Sequence, residues 1–160
     1  NGFQALIKLG LVPYGDIVPM TAECPTLTFN TIGRHQSRLV RTRVASNFSP
    51  WLAKTEVGDM HTIAISHGEG RFVASDDMLA QLKANGQIAT QYVDEAGVPG
   101  MDLSVNPNGS LLAIEGITSP DGRVFGKMGH SERYSNGTFK NVPGEKDQPL
   151  FAAGVEYFAA

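Results

Sequence analysis

A helix beginning with the first residues constrains this chain more than any other feature. Phe3, Leu6, Ile7 and Leu11 recur at helical spacing with Lys8 between them, and Pro13 stops the pattern. The remaining sequence is mostly short β-rich segments divided by turn signals. Thr26 to Phe29 and Ser37 to Ala45 have strand composition. In the second, Val40, Thr42 and Val44 alternate with Leu39, Arg41 and Arg43, which predicts one buried face and one mostly wet face.

His61 to Ala74 reads as a buried strand through Ile63, Ala64 and Ile65, a glycine-rich corner at His67-Gly68-Glu69-Gly70, and a second strand. Asp76 is the expected N-cap of a helix ending near Gly86, with Met78, Leu79 and Leu82 on its inner face. Strands are expected at Ile88 to Val93 and Leu112 to Ile117, with the strong turn signal Asn106-Pro107-Asn108-Gly109 between them. Pro120-Asp121-Gly122 turns the chain into Val124 to Met128, and a polar loop through Gly144 leads to a short helix from Pro149 onward. There is no repeat, low-complexity tract or internal linker, so residues 1–160 are expected to form one domain.

Composition narrows the partners. A net charge of −3 gives no electrostatic case for nucleic acid or an anionic membrane. No apolar run approaches the roughly 18 residues that a membrane span requires. The single Cys24 cannot form an internal disulfide, which fits a reducing cytoplasm. Asn47, Asn108 and Asn136 each open a glycosylation sequon, a pattern short enough to arise by chance. No phosphate-loop motif is present, and His61 and His67 lack a further metal ligand at convincing spacing.

His130 and Glu132 stand two residues apart, so on an extended segment both side chains leave one face and the carboxylate can orient the imidazole. Such a pair suits a base that deprotonates a thiol, because the carboxylate fixes the tautomer and stabilises the imidazolium. Taken alone, a polar surface loop explains it better. The opening Asn1-Gly2-Phe3-Gln4 also looks like the second half of a nucleophile elbow, in which a strand turns sharply into a helix and exposes the side chain at the turn.

These segments, taken in order, resemble the class I glutamine amidotransferases, and specifically the glutaminase domains of phosphoribosylformylglycinamidine synthases. The resemblance rests on Asn1-Gly2-Phe3-Gln4, His67-Gly68-Glu69-Gly70-Arg71, Asn106-Pro107-Asn108-Gly109-Ser110 and His130-Ser131-Glu132-Arg133, with further support from Arg34 to Trp51. It implies an α/β fold with a mostly parallel sheet flanked by helices, of which this chain is the carboxy-terminal part. It implies a nucleophilic cysteine immediately before Asn1, so that residues 1–160 alone are expected to be inactive. Cys24, between Glu23 and Pro25 in an irregular segment, is no substitute for it.

The resemblance further implies that His130 is the base, Glu132 its orienting partner and the Asn1 backbone N–H an oxyanion donor. Gln4, His67 and Glu69 become expected contacts of bound glutamine, with Asn106, Asn108 and Ser110 as weaker candidates. For Asn108 a turn role comes first. Gly129 and Ser131 stand where many members have prolines. No cofactor is expected in this part of the protein; ATP and magnesium belong to a synthetase domain or subunit that receives the ammonia. The Arg34, Arg38, Arg41 and Arg43 patch fits an anion contact, a docking surface for that synthetase, or a solvated strand edge. The alternative to an enzyme is a noncatalytic glutamine-binding or assembly module.

Overall fold

Helix α1 (Gly2–Leu9) forms where the periodicity places it, in a computed structural model that describes residues 1–159. It ends before Pro13 because Gly10 adopts the left-handed conformation at φ 87° and donates its N–H to the Ile7 carbonyl. A single further turn, α2 (Leu11–Tyr14), follows. Asn1 makes no side-chain capping bond, so α1 lacks the ~1 kcal/mol of a good N-cap. Burial of Phe3 and Ile7, at about 1.5–3 kcal/mol each, is the larger effect and holds the helix against its neighbours.

The strands are β1 (Thr26–Thr28), β2 (Gln36–Val44), β3 (Met60–His67), β4 (Arg71–Val73), β5 (Ile88–Tyr92), β6 (Ile114–Thr118) and β7 (Phe125–Lys127). Five of them form a sheet in the order β3-β2-β5-β6-β7, while β1 and β4 pair separately as a two-stranded ribbon. Every pairing is antiparallel. The expected mostly parallel sheet is therefore corrected: these elements form an α/β fold on an antiparallel sheet. The physical reason lies in the connections. A parallel pair needs a crossover of about a dozen residues or more, usually helical. The loop 119–124 between β6 and β7 is too short for one, and the β2–β3 connection carries only a 3-10 turn at Pro50–Leu52.

Helix α3 (Asp76–Ala84) lies between β4 and β5, and α4 (Leu150–Phe158) closes the described chain. The N-cap of α3 is Ser75, whose Oγ accepts the Met78 N–H at 3.2 Å, and not Asp76, which is the first helical residue. Both β2 and β5 obey the two-residue period. Val40, Thr42 and Val44 are buried as the alternation requires. The neighbours Ile88 and Ala89 fall in different clusters, so β5 is covered on both faces. The larger cluster joins Phe3 and Ile7 of α1, Leu79 and Leu82 of α3, and Val40, Ile65 and Ile117 of the sheet. The smaller one seats Leu150 of α4 against Val44, Leu52 and Ala89.

Candidate active site

Strand β7 carries the chain to the His130 turn, which is then pinned by its main chain. The Met128 N–H donates to the Glu115 carbonyl at 3.0 Å, and the His130 N–H to the Ala64 carbonyl at 2.9 Å. Residues Ser131–Arg133 form a 3-10 turn, not the extended segment the two-residue spacing assumed. The pair meets nonetheless: His130 Nδ1 lies 2.6 Å from Glu132 Oε1. A carboxylate only accepts, so Nδ1 is the donor and Nε2 of the neutral ring is left as the basic atom. Nε2 makes no hydrogen bond to any described residue. Burial pushes the Glu132 carboxyl up, but hydrogen bonds from His130 and from its own backbone, with the charge of Arg133 nearby, outweigh it and hold the carboxyl below its ordinary range.

His67, the last residue of β3, stacks on His130 with ring centroids 5.2 Å apart and planes 9° from parallel. Its Nε2 donates to the Met128 carbonyl at 2.5 Å. Burial pushes the His67 pKa down; the Met128 carbonyl opposes this and His130 adds to it. His67 is thus neutral near pH 7.

One cleft of about 470 Å³ is lined by Asn1, Gln4, His67, Glu69, His130 and Glu132, bringing together six residues spread over the whole sequence. Phe3, Leu27, Trp51 and Phe151 supply apolar wall. Gln4 enters it with its amide already engaged: Nε2 donates to the Leu27 carbonyl and Oε1 accepts the Leu27 N–H, both at 3.1 Å. The side chain thereby fastens α1 to β1. Glu69 is exposed at the corner, and Asn1 is exposed at the start of α1.

Asn106, Asn108 and Ser110 are fully buried behind the corner and do not line the cleft. Asn108 Nδ2 donates to Asn30 Oδ1 at 2.7 Å and its Oδ1 accepts from the Tyr92 hydroxyl at 3.1 Å. Asn30 in turn donates to the His67 carbonyl at 2.7 Å and accepts the Gly70 N–H at 3.0 Å. Ser110 Oγ donates to the Gly70 carbonyl at 3.2 Å and accepts the Phe72 N–H at 3.1 Å. Asn108, through Asn30, and Ser110 hold the corner in place, while Asn106 braces the main chain of Ser110.

The arginines of β2 are largely occupied. Arg38 donates to the Ser104 carbonyl at 2.5 Å, Arg41 pairs with Glu95 at 3.0 Å, and Arg43 donates to Gln91 Oε1 at 3.1 Å. Cys24 lies away from the cleft, its Sγ 3.5 Å from Thr21 Oγ1, and hydrogen bonds from Thr21 and Tyr14 lower its thiol pKa. Among the described residues, no group of three or more His, Cys, Asp and Glu side chains could hold a metal ion, and no helix is long and apolar enough to cross a membrane.

Sequence reasoning missed a buried ion pair behind the His130 turn, Glu115 with Lys127, whose Nζ and Oε1 are 3.7 Å apart. The signal was present in Leu111 to Ile117, where Glu115 is the one charge in an apolar stretch.

The cleft thus sets an imidazole, hydrogen-bonded to a carboxylate, beside the start of a helix. The chain belongs to the family of CobB/CobQ-like glutamine amidotransferase domains, which it matches over residues 1–158. It is similar to the phosphoribosylformylglycinamidine synthase subunit PurQ of Aquifex aeolicus (strain VF5), 38% identical over 135 residues that make up 84% of this chain and 54% of that protein. The subunit of the same name from Synechococcus sp. (strain JA-2-3B'a(2-13)) is 33% identical over 160 residues, 100% of this chain and 60% of that protein. The solved structure of PurLQS from Thermotoga maritima matches the fold with a TM-score of 0.68 at 28% identity, covering 98% of this chain and 58% of that one. The chain thus spans little more than half the length of these relatives.

Proposed function

We propose that residues 1–160 are the carboxy-terminal part of one glutamine amidotransferase domain that hydrolyses the side-chain amide of glutamine. The ammonia supplies the conversion of formylglycinamide ribonucleotide to its amidine in purine synthesis. The observation that carries this reading is His130, fixed by Glu132 at 2.6 Å through Nδ1 and lining the same cleft as Asn1. In this reading a cysteine preceding Asn1 is the nucleophile. Nε2 of His130 takes the thiol proton, the thiolate attacks the amide carbon, and the Asn1 N–H donates to the developing oxyanion. The proton passes to the departing nitrogen, and water then cleaves the glutamyl thioester to give glutamate and the free thiol.

In this reading His67 and Glu69, which line the cleft at the corner, contact glutamine, and Gln4 shapes the pocket through its hold on Leu27. ATP and magnesium act on a synthetase domain or subunit, the partner that consumes the ammonia, and the whole works in the cytoplasm. The PurQ names of the relatives and the PurLQS neighbour support this assignment. The test is release of glutamate and ammonia by the protein that includes the segment preceding Asn1, set beside the 160-residue chain and a His130→Ala variant. Turnover in the first alone is expected. Equal turnover by the 160-residue chain would refute the mechanism. Glutamine binding without turnover by the longer protein would favour a noncatalytic module.

A further inference from the structure

Directly behind the His130 turn, two opposite charges are held almost out of solvent. Glu115 is fully buried on β6, and the Lys127 side chain on β7 is 10% exposed. Ionised groups are costly to bury, and an ion pair inside a protein adds little net stability over apolar residues of similar volume. Their partners show what the arrangement accomplishes. Glu115 Oε1 accepts the Gly129 N–H at 2.5 Å, and its Oε2 accepts from the Thr90 hydroxyl. Lys127 Nζ donates to Ser131 Oγ at 3.0 Å and to Gln148 Oε1 at 2.8 Å, and Ser131 Oγ donates to the same Gln148 oxygen at 2.7 Å. The two charges therefore hold the residues on either side of His130.

We propose that Glu115 and Lys127 are positioning residues for His130, a buried clamp that grips Gly129 and Ser131 and so fixes the imidazole against Glu132 in the cleft. The inference rests on the assignment of His130 as the base. Gly129 fits the clamp in two ways. A Cβ there would come within 2.8 Å of Glu115 Oε1 and 2.6 Å of Ile63 Cγ2, and a proline would also lack the N–H that Glu115 accepts. Burial lowers the Lys127 pKa, and the neighbouring Glu115 carboxylate opposes that shift.

The experiment reads the tautomer of His130 by nitrogen-15 chemical shifts in the 160-residue chain, above the pH at which the ring protonates. It requires neither glutamine nor turnover, so its outcome is separate from the test of glutaminase activity. Two variants are compared: Ser131→Ala, which removes one grip without burying a bare charge, and Glu115→Gln/Lys127→Met, which leaves neither charge. The wild-type ring is expected mainly as the Nδ1–H form. In each variant the ratio of that form to the Nε2–H form should fall at least threefold, with His35 unchanged as an internal reference. A merely structural pair would shift the urea midpoint and leave the His130 ratio alone. An unchanged ratio in folded Ser131→Ala overturns the proposal, as does an unchanged ratio in the folded double variant.

Discussion

The imidazoles of His67 and His130 lie parallel, 9° apart in plane, each with one nitrogen committed, Nε2 of His67 to the Met128 carbonyl and Nδ1 of His130 to Glu132. His67 is anchored to the Met128 carbonyl and kept neutral by burial, so it presents an uncharged face to the ring beside it. Acid removes that condition.

Stability should therefore fall on mild acidification. His61 and His67 both have folded-state pKa values lowered below the ordinary 6.5, in each case chiefly by burial. The unfolded chain then binds more protons in the window from 6.5 down through the folded values, so stability is fully present above 6.5 and is lost as pH falls. Urea midpoints at pH 7.5 and 5 should show the loss, and His61→Gln or His67→Gln should each reduce the difference between the two pH values.

Substitution at the proposed base should separate activity from stability. In the longer protein, His130→Ala is expected to lower glutamine hydrolysis by roughly 10²–10⁴, the usual contribution of a positioned acid–base group. Glu132→Gln should cost less, since His130 stays in place and only its orientation is weakened. Glu132 is well exposed, so its melt should move by no more than about 0.5 kcal/mol. Steady-state kinetics beside urea titrations would check both.

Gly126→Val should disturb the cleft from below. A Cβ on Gly126 would enter the ring of Phe3, which anchors α1. Overpacking of this kind costs about 1–3 kcal/mol. Both the urea midpoint and the affinity for glutamine should drop, because α1 carries Asn1 and Gln4 into the site. Gly116→Ala tests the same principle at β6, where the added carbon would press on the ring of Phe125 and on Thr90.

Ser110→Ala should loosen the corner that bears His67 and Glu69. Its hydroxyl is buried and serves the Gly70 carbonyl and the Phe72 N–H, both of which would lose a partner. An unsatisfied buried group costs about 1–3 kcal/mol. Amide exchange at Phe72 should accelerate more than at residues of α4.

Much of this was legible because local physics determined it. Val40, Thr42 and Val44 announce a half-buried strand by period alone, and Asn106 to Gly109 announce a turn. The antiparallel pairing was also readable, since Pro120-Asp121-Gly122 leaves no length for a crossover between β6 and β7; the family resemblance pointed the other way. Other features depend on contacts that no local pattern encodes. Gln4 looks like a free polar group on a helix until Leu27, 23 residues later, occupies both ends of its amide. Glu115 looks misplaced until the pairing of β6 with β7 brings Lys127 beside it, with Gly116 opposite Lys127 in the register.

Strand β3 is the last of its sheet, and two main-chain groups on its outer rim are already paired. The Ala64 carbonyl receives the His130 N–H, and the Thr62 N–H reaches the Glu145 carbonyl at 2.6 Å. The segment that follows β7, from His130 to Glu145, thus also serves as a partial selvedge, covering main-chain groups that would otherwise offer a foreign strand a place to align. A movement large enough to swing His130 away would unstitch that border. Variants that free the loop are therefore expected to reveal themselves first as aggregates.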